Sequence, residues 1–459
     1  MPSRPSSMQH FLSVSTLWKP FLLFLVPLLI TNILQSLSGT INTIFVGQLL
    51  GVNAVAAVAV FFPILFFLLS FVIGLAAGAS VLIGQAWGAH ELEKVKQITG
   101  NTLALVMSLG VVIAIIGVSF TTQALNLLGV PPEIMPLAVD YSRLMLVASP
   151  LYFIFIVYTS LMRGVGDSIT PMISMGLSIV VGLLVTPALI QGWLGLPQLG
   201  IQAPAVATIV GFLVVLAYLF FYTRHKQHPL APDARLIAHI RFDGPVTKLI
   251  LRLGLPTALQ MVTSSISGIV IIGLVNHYGA HATAAYGAIN QVLSYVQFPA
   301  MSIAIAGSIF AAQAIGAGKD EALNCVTRTA LIMNLVFTGT LILMAYVFSR
   351  HLMALFITDA SVIELGQQLL HIVLWSILLF GAGSIFAGIM RASGTVLVPM
   401  LINVGCIVLI ELPCAVLFSH WYGLQGIWFA YALAFTMMCI IQTAYYQFVW
   451  KKKTVQRLI

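Results

Sequence analysis

The sequence predicts an all-α membrane protein with twelve transmembrane helices in two six-helix lobes, related by a pseudo-twofold axis along the membrane normal. Three observations predict it. The composition is 60% hydrophobic and only 7% charged, with a mean hydropathy of +1.05, far outside the range of soluble domains. Apolar runs of about twenty residues recur along the chain, each long enough to cross a bilayer. The chain also repeats itself. Arg163-Gly-Val-Gly-Asp-Ser-Ile-Thr-Pro-Met172 returns as Arg391-Ala-Ser-Gly-Thr-Val-Leu-Val-Pro-Met400, and Gln85-Ala-Trp-Gly-Ala89 returns at the same offset as Gln313-Ala-Ile-Gly-Ala317.

The runs place spans at 20–46, 54–83, 98–120, 137–161, 171–190 and 202–223 in the first half. The second half supplies 254–277, 283–311, 328–349, 366–390, 399–418 and 425–449. The N-terminal residues carry Arg4 and Lys19 and run straight into the first span with no small-residue cleavage site, so it reads as a helix and not a removable signal. An even number of spans per half brings both halves into the membrane in the same direction, and the repeats are then parallel. The expected domains are an N-terminal lobe at 1–222, a cytoplasmic inter-lobe linker at 223–253 and a C-terminal lobe at 254–459. The linker, with Arg224-His-Lys-Gln-His228 and an amphipathic stretch at Leu236–Phe242, reads equally as a membrane-surface segment or a solvated loop.

Charge fixes the expected orientation. With both termini in the cytoplasm, all of the 20 Lys and Arg except Arg143 and Arg350 fall on that side. The net charge of +8 is therefore a topology signal and a contact with membrane lipids, and nucleic acid is excluded as a partner. The four cysteines stand singly, in neither a disulfide framework nor a zinc spacing. No metal site and no cofactor are expected.

Polar side chains inside a membrane tend to face a cavity or a neighbouring helix. In the first span Asn32, Gln35 and Asn42 share one face; in the seventh Gln260, Ser264 and Ser267 do; in the eighth Tyr286, Asn290 and Ser294 do. These stripes, with Tyr295 and Trp375, are the candidate walls of a substrate cavity. Pro27 and Pro256, near-register partners in the leading helix of each lobe, are the candidate hinges.

Of the 12 Asp and Glu, Glu411 alone sits well inside a span. It lies about twelve residues, or roughly 18 Å, from the cytoplasmic end of its helix. A charged carboxylate is costly there, which suits a group that takes up and releases a proton. Pro413 removes a helical donor and is expected to kink the helix. His371 enters the preceding antiparallel helix roughly 8 Å from the outer surface. In a core about 30 Å thick the two heights differ by about 4 Å, so a Glu411–His371 proton-coupling pair is a candidate.

Together with Thr43-Ile-Phe-Val-Gly-Gln-Leu-Leu-Gly51 and Ala284-Ala-Tyr-Gly287, the repeated motifs make the chain resemble the multidrug and toxic compound extrusion (MATE) family over its whole length. The Ala-Ala-Tyr-Gly segment leans to the bacterial DinF-like branch. The resemblance implies a transporter of the bacterial inner membrane, a monomer, that exports small lipophilic and often cationic molecules. It would do so in exchange for H+ or Na+ by alternating access. The chain departs from the family at Asn42, where an aspartate is common, and at Gly182 and Thr186, which precede Pro187 where Asn-x-x-x-Asp-Pro is frequent. Ser264 stands near a position that is acidic in some branches.

Two alternatives remain: a lipid-linked oligosaccharide flippase of the same superfamily, and a homologue without ion coupling. A flippase would favour cavity Lys or Arg, which the spans lack. An enzyme is not expected, because the spans hold no nucleophile–base pair or clustered acids.

Overall fold

The structure is a computed structural model and describes residues 14–459, all in helices, turns and short connections. Among the described residues eleven helices are long and apolar enough to cross a membrane, and a twelfth span forms when one bent pair is counted together. The long runs of Leu, Ile, Val and Ala leave the backbone no polar partner outside its own helix, so helices are the form in which such segments can cross lipid.

In the first half, α1 (Val14–Leu50) is followed by α2 (Val52–Ala59), α3 (Phe62–Gly88) and α4 (Leu92–Leu127). Next come α5 (Met135–Val147), α6 (Ser149–Gly164), α7 (Ile169–Gln191) and α8 (Ala203–His225). The span expected as one piece at 137–161 is broken: α5 and α6 meet at Ala148 with a bend of 50°. Pro150 starts α6 without a donor of its own, and Ser149 Oγ donates to the carbonyls of Leu146 at 2.7 Å and Gly110 at 3.1 Å. Gly110 allows this approach, because a Cβ there would lie 2.6 Å from Pro150 Cα.

Of the stretch 223–253, the first residues complete α8 and the last begin α10 (Gly244–Asn276), with the short α9 (Ala234–Ala238) between them. The second half continues with α11 (Ala280–Gly316), α12 (Ala322–Met333), a π-helical turn Asn334–Thr338, α13 (Gly339–Val347) and α14 (Ser349–Ala354). It ends with α15 (Ala360–Leu374), α16 (Ser376–Ala392), α17 (Leu397–Gly405), a second π turn Cys406–Glu411, α18 (Leu412–Tyr422) and α19 (Leu424–Phe448). The expected disturbance before Pro413 thus takes the form of a π turn, which re-registers the helix ahead of a residue that has no N–H.

The chain forms two compact units. Unit 1 holds Val26–Trp87 and Glu91–Leu255; unit 2 holds the described residues up to Leu25, Gly88–His90 and Pro256–Ile459. The unit-1 core gathers Val46, Val58, Phe61, Tyr141 and Leu146. The unit-2 core gathers Ile271, Tyr286, Val292, Leu370 and Trp428. The two leading helices each divide between units: α1 changes membership after Leu25 and α10 after Leu255, beside Pro27 and at Pro256. Within unit 1 the first turns of α10 touch α3 backbone to backbone, since a Cβ on Gly254 would lie 2.8 Å from Leu75 Cα. Within unit 2 the start of α1 lies on α11, where Phe21 stacks on Phe310 at 5.3 Å.

Candidate functional site

Glu411 ends the π turn of unit 2 and is only 5% exposed. Its Oε1 accepts a short hydrogen bond from the hydroxyl of Ser267 on α10, itself 2% exposed. Tyr431 lies within electrostatic reach of both Glu411 and Tyr286, and Cys406, at the other end of the π turn, lies within reach of Glu411. Tyr286 packs on Trp428 with ring centroids 5.7 Å apart, and Trp428 packs on Tyr431 at the same separation. Trp428 is fully buried, and its Nε1 has no hydrogen-bond partner among the described residues. The result is a buried carboxyl group held by one hydroxyl, with Tyr431 within electrostatic reach.

No ion pair reaches Glu411 among the described residues. His371 is turned elsewhere: its Nε2 lies 3.0 Å from Ser349 Oγ, its carbonyl accepts from Tyr346 OH at 2.8 Å, and its ring lies 5.0 Å from that of Tyr346. The expected Glu411–His371 pair is therefore not formed. Matching heights in a membrane constrain depth but leave the direction around the helix axis open, and the hydroxyl of Ser349 captures the imidazole.

The other sequence candidates divide by environment. Tyr286 is buried in the unit-2 core, at 7% exposure. Asn32, Asn42, Gln260, Asn290 and Ser294 are half-buried, while Gln35, Ser264, Tyr295 and Trp375 are exposed. Ser264 Oγ donates to the Gln260 carbonyl at 3.1 Å and Ser294 Oγ to the Asn290 carbonyl at 2.8 Å, so both hydroxyls serve their own helices. Tyr295 meets Phe298 edge-on at 5.9 Å. Among the described residues no three His, Cys, Asp or Glu side chains gather as a metal-holding group.

The sequence reading placed Ser267 in a stripe without singling it out, and gave Tyr431 and Trp428 no role. Position along a span cannot separate a wall aromatic from a packing one. Gly381 makes room for a buried amide: its missing Cβ would lie 2.3 Å from Asn334 Oδ1. Asn334 donates from that place to the Leu378 carbonyl at 3.0 Å.

Comparison with known proteins identifies the family of the chain. The chain is 44% identical to a probable multidrug resistance protein, YoeA, of Bacillus subtilis, over 97% of each chain. It is 27% identical to a second B. subtilis protein, the probable multidrug resistance protein YpnP, over 94% of this chain and 96% of that one. A solved Vibrio cholerae MATE transporter, a point mutant of VcmN, superposes with a TM-score of 0.89 at 22% identity, covering 96% of this chain and 99% of that one, and so shares the fold. The MatE family profile matches residues 27–188 and again 256–417, beginning at the two prolines where α1 and α10 change unit. The chain is a multi-pass membrane transporter, not an enzyme, and it belongs to the MatE family.

Proposed function

We propose that this protein is a secondary antiporter of a bacterial inner membrane that exports lipophilic, often cationic small molecules in exchange for protons or sodium, with Glu411 as the coupling group. The observation that carries this reading is a carboxyl group buried in a span with one hydroxyl donor and no cation beside it. A charge so placed is costly unless a proton or a cation joins it. Loading and unloading that site can therefore favour different conformations, which is the requirement for coupling. The 44% identity to a probable multidrug resistance protein supports the cargo class.

In this reading the lobes at 1–222 and 254–459 alternate access, both termini stay cytoplasmic and the linker 223–253 joins the lobes. Pro27 and Pro256 are the proposed hinges, because each stands where a helix passes from one compact unit to the other. Transport of a fluorescent lipophilic cation into inverted vesicles tests the proposal, with a proton uncoupler, a sodium gradient and Glu411→Gln as variables. Ion-driven transport should collapse in Glu411→Gln. Unchanged gradient-driven transport in that variant removes Glu411 from the mechanism.

A further inference from the structure

The connection between α8 and α10 sorts its side chains by chemistry. Both of its acids are engaged by unit 1. Asp233 pairs with Lys96 of α4 and caps α9 by accepting from Leu236 N at 2.8 Å. Asp243 accepts from Gln97 Nε2 at 2.7 Å and from Val246 N at 3.3 Å. Asn101 Nδ2 donates to the Arg241 carbonyl at 3.2 Å, Tyr158 OH donates to the Leu230 carbonyl at 2.6 Å, and Leu236 is 1% exposed. The segment is thus fastened to unit 1 along one face.

The opposite face is apolar and basic. Ile237, Ile240 and Phe242 are 56%, 41% and 60% exposed. Arg224, Lys226, Arg241, Lys248 and Arg252 are exposed around them. The exposed acids beside them are already paired, Glu93 with Arg235 at 3.1 Å and Asp233 with Lys96, so Arg224, Lys226, Arg241, Lys248 and Arg252 leave the surface with an excess of cations.

Its height along the helices is set by two contacts. His239 lies against Gly100, where a Cβ would be 2.3 Å from the His239 carbonyl oxygen, and Arg241 is held by Asn101. Both contacts fall at the start of the span at 98–120, with Leu103 two residues beyond Asn101. On α10, Lys248, Arg252, Leu255 and Leu259 are spaced four, three and four residues apart, so they share a face. Leu255 and Leu259 are 46% and 51% exposed. The cations thus give way directly to the apolar surface of the span.

From this juxtaposition we infer that residues 234–252 form a foot that docks on anionic phospholipid headgroups, with Ile237, Ile240 and Phe242 entering the acyl boundary. An apolar face flanked by Lys and Arg at that height has the chemistry of an interfacial segment. A basic residue near an anionic surface contributes a factor of about five in local binding.

The full chain is reconstituted in nanodiscs of phosphatidylcholine alone, or of phosphatidylcholine with phosphatidylglycerol. Benzoylphenylalanine replaces Phe242, and amide exchange is followed over residues 234–243. Irradiation should give phospholipid adducts at 242. Exchange should slow when phosphatidylglycerol is present, and that gain should shrink about fivefold for each of Arg241→Gln and Lys248→Gln. Adducts only to protein, whether this chain or another, overturn the inference, as does the absence of any adduct. Exchange that ignores phosphatidylglycerol also overturns it. The crosslink needs neither charge variant, so it decides the matter even if they fold poorly.

Discussion

Ser267→Ala removes the hydroxyl that donates to Glu411 and leaves the rest of the site in place. Both side chains are buried, at 2% and 5% exposure, so water cannot freely replace the lost donor. A hydrogen bond to a charged group contributes about 1.5–3 kcal/mol, and one to a neutral group about 0.5–1.5 kcal/mol. The substitution therefore penalises the charged form over the neutral one by about 1–2 kcal/mol, a factor of about 5–30. If the transport cycle passes through a charged Glu411, proton-driven export of a fluorescent cation by inverted vesicles should fall by about that factor. Ser267→Thr, which keeps a hydroxyl, should recover much of it. Wild-type transport in Ser267→Ala refutes the reasoning.

Other outcomes follow from the same geometry. Gly100→Ala places a methyl group against the His239 carbonyl; it should destabilise by about 1–3 kcal/mol, read as a lower melting temperature with faster amide exchange over 236–243. Pro256→Ala returns an N–H to α10 where the helix changes unit; transport turnover should fall while expression and melting temperature hold, and unchanged turnover denies the hinge. The carboxyls of Asp167 and Asp233 give a pH expectation. Partial burial pushes both upward, but hydrogen bonds from His228 and Thr170 to Asp167, and from Lys96 and Leu236 to Asp233, outweigh it and hold both below the ordinary value. Their stabilisation is fully present above the unfolded carboxyl value of about 4 and is lost as pH falls through the lower folded values. Amide exchange of the α8–α10 connection should therefore be unaffected by these two groups between about pH 5 and 8 and accelerate below about pH 4.

Some of the candidate site was legible in advance for a definite reason. Glu411 stood out because an acid deep in an apolar run is costly, and the cost registers in the sequence. The stripe ending at Ser267 was legible because helical spacing fixes which residues share a face. The direction of His371 was not legible, because azimuth depends on which helix lies beside it, and Ser349 is there. The bend at Ala148 arises where Ser149 and Pro150 meet Gly110 of α4, a contact between elements and not a property of the run. The roles of Tyr431 and Trp428 emerge only when α19 is laid against α11 and the π turn.

What the sequence determined by itself follows from solvation and periodicity: the membrane as solvent, the twelve spans, the duplication and the solitary buried acid. Each depends on residues along one helix or on composition. What the tertiary structure decided is which polar groups meet: Ser267 with Glu411, Ser349 with His371, and the acids of the α8–α10 connection with α4. Those pairings are contacts between distant segments. They depend on the rotation and crossing of whole helices, which in a membrane are set by close packing of small residues such as Gly110 and Gly254, and no single run of the chain records them.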